Sequence, residues 1–333
     1  MRPLSAVGDR RAVGFADAGR RIVEFALRAP SVHNTQPWRW RIGPERLDLY
    51  ADRDRQLPMA DPLGRNLTVS CGAALEYAVV GASAEGWASA VEVLPEPRTA
   101  DHLATLRLSP TPVTREAASD ASLLGSRRTD RRRLIPWPVP EPLLEGLAAH
   151  AALGSASVTV VASLSARLSV ELLVSRAMSV ERLDGFLVEE QGRWVNDGLE
   201  DGIPHENAQP ADDGLHALAP SRYSAPSADD DSQLVTAPLD GLLVIVAEED
   251  APRGWVDAGR VLCRVWAAAM DHGLSVVPLS QVIEVGETRR ALRTGVLGTD
   301  AHPQLLLRLG WQELARSPLP PTPRRDLDDV LLP

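Results

Sequence analysis

The sequence predicts an α+β fold made of two similar halves, with antiparallel-type sheets flanked by helices. Two observations predict it. The first is an internal similarity. "SCGAALEYAVVGASAEGW", from Ser70, aligns without gaps with "DAGRVLCRVWAAAMDHGL", from Asp257, so that Gly72 meets Gly259, Leu75 meets Leu262, Ala82 meets Ala269 and Gly86 meets Gly273. The second is that strand-like apolar runs flank each copy. "LDLYA" (47–51) and "ATLRLS" (104–109) bracket the first, and "GLLVIVA" (241–247) and "PQLLLRLG" (303–310) bracket the second. Each half therefore reads strand, helix, strand, strand, and the two halves together form a pseudo-dimer in one chain. The expected division is 1–120 and 121–333.

Taken in order, the elements follow from local chemistry. A helix over 15–29 is carried by "IVEFALRA" and stopped by Pro30. Both repeat segments carry an N-cap candidate (Ser70, Asp257), an apolar helical period and a glycine placed to end the helix. Helices are expected at 141–150, 164–190 and 288–294. The run "RLSVELLVSRAMSVERLDGFLVEE" should make the longest one. Residues 191–235 differ: they are rich in Gly, Pro and Asp, acidic, and without period. So long an irregular stretch inside a compact chain reads either as a functional cover or as a disordered linker. "RW" at 193–194 and "DGIP" at 201–204 favour a lid-like insertion.

Composition narrows the function classes. At 44% hydrophobic the chain buries a substantial core, and it holds no uninterrupted apolar run of about 18 residues. The first residues lack the apolar stretch of a signal peptide. Cys71 and Cys263 are too few for a disulfide framework or a zinc site, so no metal is expected and a reducing, cytoplasmic setting fits. A net charge of −10 argues against nucleic acid as a partner. Neither a Gly-x-Gly-x-x-Gly nor a Walker-type phosphate loop is present. The chain has no lysine, so every fixed positive charge is arginine, the better residue for bidentate phosphate contacts.

Four stretches carry chemistry. "RAPSVHNTQPWRW" (28–40) crowds two prolines, polar side chains and two tryptophans into one turn. It reads either as a helix stop pinned by Trp38 and Trp40 or as one wall of a ligand site. "SRRTDRRRLIPWPVP" (126–140) holds five arginines in seven residues. An extended backbone would point Arg127, Thr129 and Arg131 the same way. A hydroxyl between two guanidiniums suits a phosphate monoester, and a solvated charge run is the other reading. "DHGLSVVPLSQVIE" (271–284) is an apolar strand after a helix, and "LLLRLGWQELARSPLPPTPRRDLDDVLLP" closes the sequence with a Pro-rich basic tail.

These stretches together resemble the FMN-dependent nitroreductase family, in particular its Acg-like single-chain branch. Residues 29–38 fit the family loop A-P-S-x-x-N-x-Q-P-W without a gap, and Arg127-Arg128-Thr129-x-Arg131 is similar to the R-R-S-x-R phosphate segment, with Arg133 where an aromatic is usual. The resemblance implies that Pro30, Ser31 and Val32 line the flavin ring and that Asn34 bonds its polar edge. It also implies that Arg127, Arg128, Thr129 and Arg131 hold the phosphate. Pro278, Leu279, Ser280 and Gln281 would flank the reactive face, with backbone N–H groups of Ser280 and Gln281 at N5. Arg324, or its near-equal Arg325, would complete the phosphate cluster. His33 reads as a structural hydrogen-bond group before a catalytic one. Each motif occurs once, so one composite site and one FMN per chain are expected, in a monomer. The implied activity is NAD(P)H-dependent reduction of nitroaromatic or quinone-like acceptors, with the chemistry on FMN and no catalytic side chain. The alternative is a flavin held under the insertion with little turnover.

Overall fold

A computed structural model describes residues 5–96, 98–132, 134–195, 201–204, 207, 240–312 and 319–333. Most of the acidic 191–235 insertion, and Arg133, therefore lie outside the described residues.

The first half contains α1 (Ser5–Ala26), β1 (Trp38–Gly43), β2 (Arg46–Ala51), α2 (Arg65–Ala84), β3 (Trp87–Val93) and β4 (His102–Pro110), and α3 (Arg115–Ser126) runs across the expected boundary at residue 120. The second contains α4 (Glu141–Ala151), β5 (Ala156–Val160), α5 (Leu164–Leu183), α6 (Gly185–Arg193), β6 (Gly241–Ala247), α7 (Pro252–Asp271), β7 (Leu274–Leu279) and β8 (His302–Trp311). Two four-stranded sheets result, β1-β2-β4-β3 and β5-β6-β8-β7, antiparallel throughout and wired in the same order. The α+β expectation with two matching halves holds.

The shift of 187 residues that brings Gly72 onto Gly259 also brings the start of α2, Arg65, onto the start of α7, Pro252. It brings Gly86 (φ 81°) onto Gly273 (φ 76°), where each helix turns into its strand through a left-handed residue that glycine adopts without strain. The two helices cross at their glycines. A methyl on Gly72 would lie 2.1 Å from Val256 O, and one on Gly259 would lie 1.9 Å from Val69 O. Val69 and Val256 are themselves 187 apart, so the crossing has approximate two-fold symmetry. α2 and α7 are thus the shared wall between the halves.

Three apolar cores follow. One packs α1 and α2 on Leu47, Leu49, Ala104 and Leu106 of the first sheet. A second packs α4 and α7 on Leu243, Ile245, Leu305 and Leu307. The third packs α5 on the opposite face of the second sheet through Val170, Val174, Val244 and Leu306. α2 is also the one helix among the described residues long and apolar enough to cross a membrane; 78% of that stretch is buried inside the protein.

Local expectations fail at three points. Ser70 and Asp257 are not N-caps but sit in the second turn of their helices. α2 instead begins after left-handed Gly64 with Asp61 accepting from Leu67 N (2.8 Å), and α7 begins with Pro252 at its first position. Ser70 and Asp257 do equivalent work further along. Ser70 Oγ accepts from Val32 N (3.1 Å), and Asp257 Oδ2 accepts from Ser155 N (3.0 Å), so each pins a loop to its helix. The run 164–190 is not one helix, because Asp184 leaves α5 in an extended conformation and its carboxylate caps α6 at Phe186 N and Leu187 N. The helix expected at 15–29 ends at Ala26, before Pro30.

The C-terminal residues are packed, not frayed. Leu331 bridges Trp40 on β1, Leu332 N donates to Trp40 O (2.7 Å), and Val330 is fully buried.

Candidate active site

The site starts from a strained loop. After α1, three non-glycine residues within four positions take the left-handed region: His33 (φ 46°), Asn34 (φ 56°) and Gln36 (φ 50°). Each such residue costs on the order of 1–2 kcal/mol, so the surroundings must hold it. They do so through Ser70 on Val32 N, through Gln36 N on Ser31 Oγ (3.0 Å), and through Trp38 and Trp40, both fully buried as the sequence expected.

This loop forms one side of a cleft that opens to solvent between the halves. Pro30, Ser31, Val32 and His33 line it from the loop. Thr129 and Arg131 come from the arginine segment, and Pro278, Leu279, Ser280 and Gln281 from the end of β7. Three stretches up to about 250 residues apart in sequence, which the nitroreductase resemblance assigned to one site, thus meet in one cavity. Gln281 is 2% exposed, and its side-chain Nε2 has no hydrogen-bond partner among the described residues.

Four expected residues do not line the cleft. Arg127 is buried behind Thr129: Nη1 donates to Thr129 Oγ1 (3.1 Å), Nε donates to Tyr77 Oη (2.9 Å), and the guanidinium lies 4.7 Å over the Trp266 ring. Arg324 comes from the tail and donates to Asn34 Oδ1 (2.9 Å). Burial, and then the like charge of Arg127, pull Arg324 down to about 9. Among the described residues neither Arg127 nor Arg324 has a carboxylate partner. A buried guanidinium at Arg127 and a half-buried one at Arg324, without a carboxylate among the described residues, are costly, and an anion beside them would relieve that cost. Arg128 bonds carbonyls of its own turn. Asn34 directs its amide Nδ2 to Gly202 O (2.8 Å) and Pro323 O (3.0 Å), so both ends of its side chain hold the insertion and the tail instead of facing the cleft.

Arg325 separates from Arg324 in role. It pairs with buried Asp52 (3.1 Å) and donates to Gln36 O (3.1 Å), so it fastens the tail to the first half. The rest of the arginine run divides similarly, with Arg132 paired to Asp130 at 2.6 Å.

No family model matches the chain. A Mycobacterium tuberculosis protein named "Putative NAD(P)H nitroreductase Rv3131" is 36% identical over 320 residues, spanning 95% of this chain and 91% of its own length. The chain belongs to the nitroreductase family. A second M. tuberculosis relative, "Putative NAD(P)H nitroreductase acg", is 28% identical over 94% of this chain and 95% of its own. Solved structures that resemble this nitroreductase-family chain include an FMN- and NADPH-dependent nitroreductase from Sphigopyxis sp. (TM-score 0.40, 21% identity, 63% of this chain and 96% of that one). Another is oxidised iodotyrosine deiodinase bound to FMN and 3-iodo-L-tyrosine (TM-score 0.39, 17% identity, 62% and 95%).

Sequence reasoning missed the wall supplied by the crossing helices: Asn66, Val69 and Ser70 of α2 and Leu262 of α7. A signal existed. Asn66 and Ser70 are polar residues four apart on a largely apolar helix, one turn of the same face. It also left the role of His33 unassigned, although His33 is 4% exposed and lines the cleft. The described pieces of the insertion touch the rim. Arg131 Nη1 donates to Asn207 O (3.2 Å), Asp201 pairs with Arg55, and Arg55 lies over the Trp194 ring.

Proposed function

We propose that this chain is an FMN-dependent NAD(P)H oxidoreductase of the nitroreductase type, holding one FMN in the cleft between halves 1–120 and 121–333 and acting as a monomer. The observation that carries the reading is the convergence of three motif segments on one cavity, with Arg127, which has no carboxylate partner among the described residues, held behind Thr129 of its wall. The names of the curated relatives support it.

The residues fit the cofactor. Thr129, Arg131 and the buried Arg127 would hold the phosphate, with Arg324 adding charge behind them. Pro30, Ser31 and Val32 would pack the ring from one half. Pro278, Leu279, Ser280 and Gln281 would border it from the other, with Gln281 Nε2 bonding a polar edge. Asn66 and Ser70 extend that polar rim from α2. When bound, FMN would accept a hydride from NAD(P)H and pass it to a nitroaromatic or quinone-like acceptor. The chain would supply anchoring, orientation and exclusion of water. The two buried free thiols suit a reducing compartment such as the cytoplasm.

Titration of the purified protein with FMN tests the reading. One FMN per chain, quenched on binding and bleached by NADH or NADPH without oxygen, is the expected result. Absence of binding would overturn it. A second reading, a flavin held with little turnover, is favoured by one observation: Gly202 and Asn207 of the insertion bond the side chains of Asn34 and Arg131 at the cleft rim. FMN that binds but is bleached only by dithionite would select this second reading.

A further inference from the structure

We propose that His33 is the proton donor of this cleft, giving its ring proton to a quinone-class acceptor as that acceptor takes up a hydride. The proposal rests on the reading that the cleft takes FMN. Two-electron reduction by hydride leaves a carbonyl acceptor one proton short of neutrality, and something in a partly enclosed cleft must provide it. Among the described residues that line the cavity, the ionisable side chains are Arg131 and His33. Arginine does not release a proton in the physiological range, so among them His33 is the side chain of a type that serves as a general acid.

Its backbone makes the same point independently. His33 sits at φ 46°, ψ 21°, where glycine would be unstrained. His33 is 4% exposed, lines the cleft and is held from both sides by the bonds of its loop. Its neighbours Ser31 and Gln36 are tied to each other, and Ser70 anchors Val32 on one side. Asn34 is anchored by Gly202, Pro323 and Arg324 on the other.

The step balances. With the reduced flavin as its monoanion, loss of a hydride would leave neutral oxidised flavin, and the quinone would gain that hydride together with the His33 proton and leave as a neutral hydroquinone. The imidazolium N–H bond breaks, an acceptor O–H bond forms, and imidazole regains its proton from water through the open side of the cleft. The charged groups around the loop are Arg131 across the cleft, Arg324 and Arg325 from the tail, Asp52 beneath Arg325, Arg55 with Asp201 beside Thr35, and Arg65 and Glu284 at the α2 end. Asp61 also titrates near neutrality but does not line the cleft.

The test uses FMN-loaded protein reduced by dithionite or light, so that it does not depend on a nicotinamide donor. His33→Gln and His33→Asn are compared with the parent; asparagine tolerates the left-handed backbone and guards against a merely misfolded loop. In rapid mixing with a benzoquinone, reoxidation of the parent should slow tenfold per pH unit above the His33 titration midpoint. Both variants should be slower by about 100-fold at pH 6 and independent of pH, as loss of a general acid predicts. A second readout needs no turnover. In ¹⁵N-histidine-labelled protein, the His33 ring signal, assigned by its loss in the variants, should titrate at a higher pH with reduced than with oxidised FMN. Variants that bind FMN and reoxidise with the parent's rate and pH profile overturn the proposal, as does a ring midpoint indifferent to the redox state. Failure of the parent to bind FMN overturns the cofactor reading itself, and is distinguished by the titration alone.

Discussion

Gly259→Ala tests the crossing on which the cleft is built. A Cβ there would meet Val69 O at 1.9 Å and Ala73 N at 2.7 Å, both backbone atoms of α2 that no rotamer change can move. A carbon needs about 3.3 Å from a carbonyl oxygen, so α2 and α7 must part by roughly 1.4 Å. A gap of even 0.5–1 Å forfeits a quarter to a half of the dispersion well of each contact along the seam. Overpacking of this kind costs about 3 kcal/mol or more, offset by about 1 kcal/mol of helix propensity for alanine over glycine. The net loss is about 2 kcal/mol or more. At roughly 2–4 °C per kcal/mol for a chain of this size, the melting temperature should drop by about 4–8 °C, read by calorimetry or circular dichroism. Gly72→Ala should behave alike, because its Cβ meets Val256 O at 2.1 Å. The double variant should cost less than the sum, since one separation relieves both clashes. Gly146→Ala, in α4 with nothing within 4 Å, is the control and should melt at the same temperature or higher. If Gly259→Ala melts with the parent, the close crossing is wrong.

Other outcomes follow from named contacts. Arg127→Ala combined with Arg131→Ala should weaken FMN binding at least tenfold in a fluorescence titration, while FMN affinity equal to the parent's would remove the phosphate anchor. Arg325→Ala leaves Asp52 buried with only the half-exposed Arg39 beside it, so stability should fall by about 3 kcal/mol and protease should cut the tail faster. Burial raises the Asp61 carboxyl to about 6, against the bond it accepts from Leu67 N. Below pH 4 both folded and unfolded chains are protonated there. As pH rises from 4 to 6 the unfolded chain ionises first, so this group's contribution declines by about 2–3 kcal/mol and then stays level. The melting-temperature difference between parent and Asp61→Asn should therefore move against the parent over that interval, and a constant difference would exclude the effect.

The repeated helices were legible because glycine and alanine at matching positions mark where backbones touch, and that pattern survives without any knowledge of partners. Their starting points were not. Ser70 and Asp257 look like caps in one dimension, yet each faces a loop that arrives from elsewhere in the chain, while the start of α2 is held by Asp61 from outside the repeat. β3 was missed although "WASAVEV" alternates cleanly with its half-buried and exposed residues. β1 was missed because its tryptophans were read as anchors of a turn. The cleft was largely legible where it is built from short motifs at chain turns. It was illegible where it is built from one face of a helix, since which face of α2 meets the cavity depends on the crossing with α7. Asn34 shows the converse. Its identity was read correctly from the motif, but its side chain is engaged by Gly202 and Pro323, contacts spanning 168 and 289 residues that no local pattern reveals.

The tail that returns to β1 bears on how the molecule is made. Gln36 and Trp40 meet partners some 290 residues downstream. During synthesis the first sheet must therefore wait, its outer strand bare and its strained turn unclamped, while the whole second half emerges from the ribosome. The exposed edge of β1 is the place where a nascent chain would need protection from its neighbours until the tail has emerged.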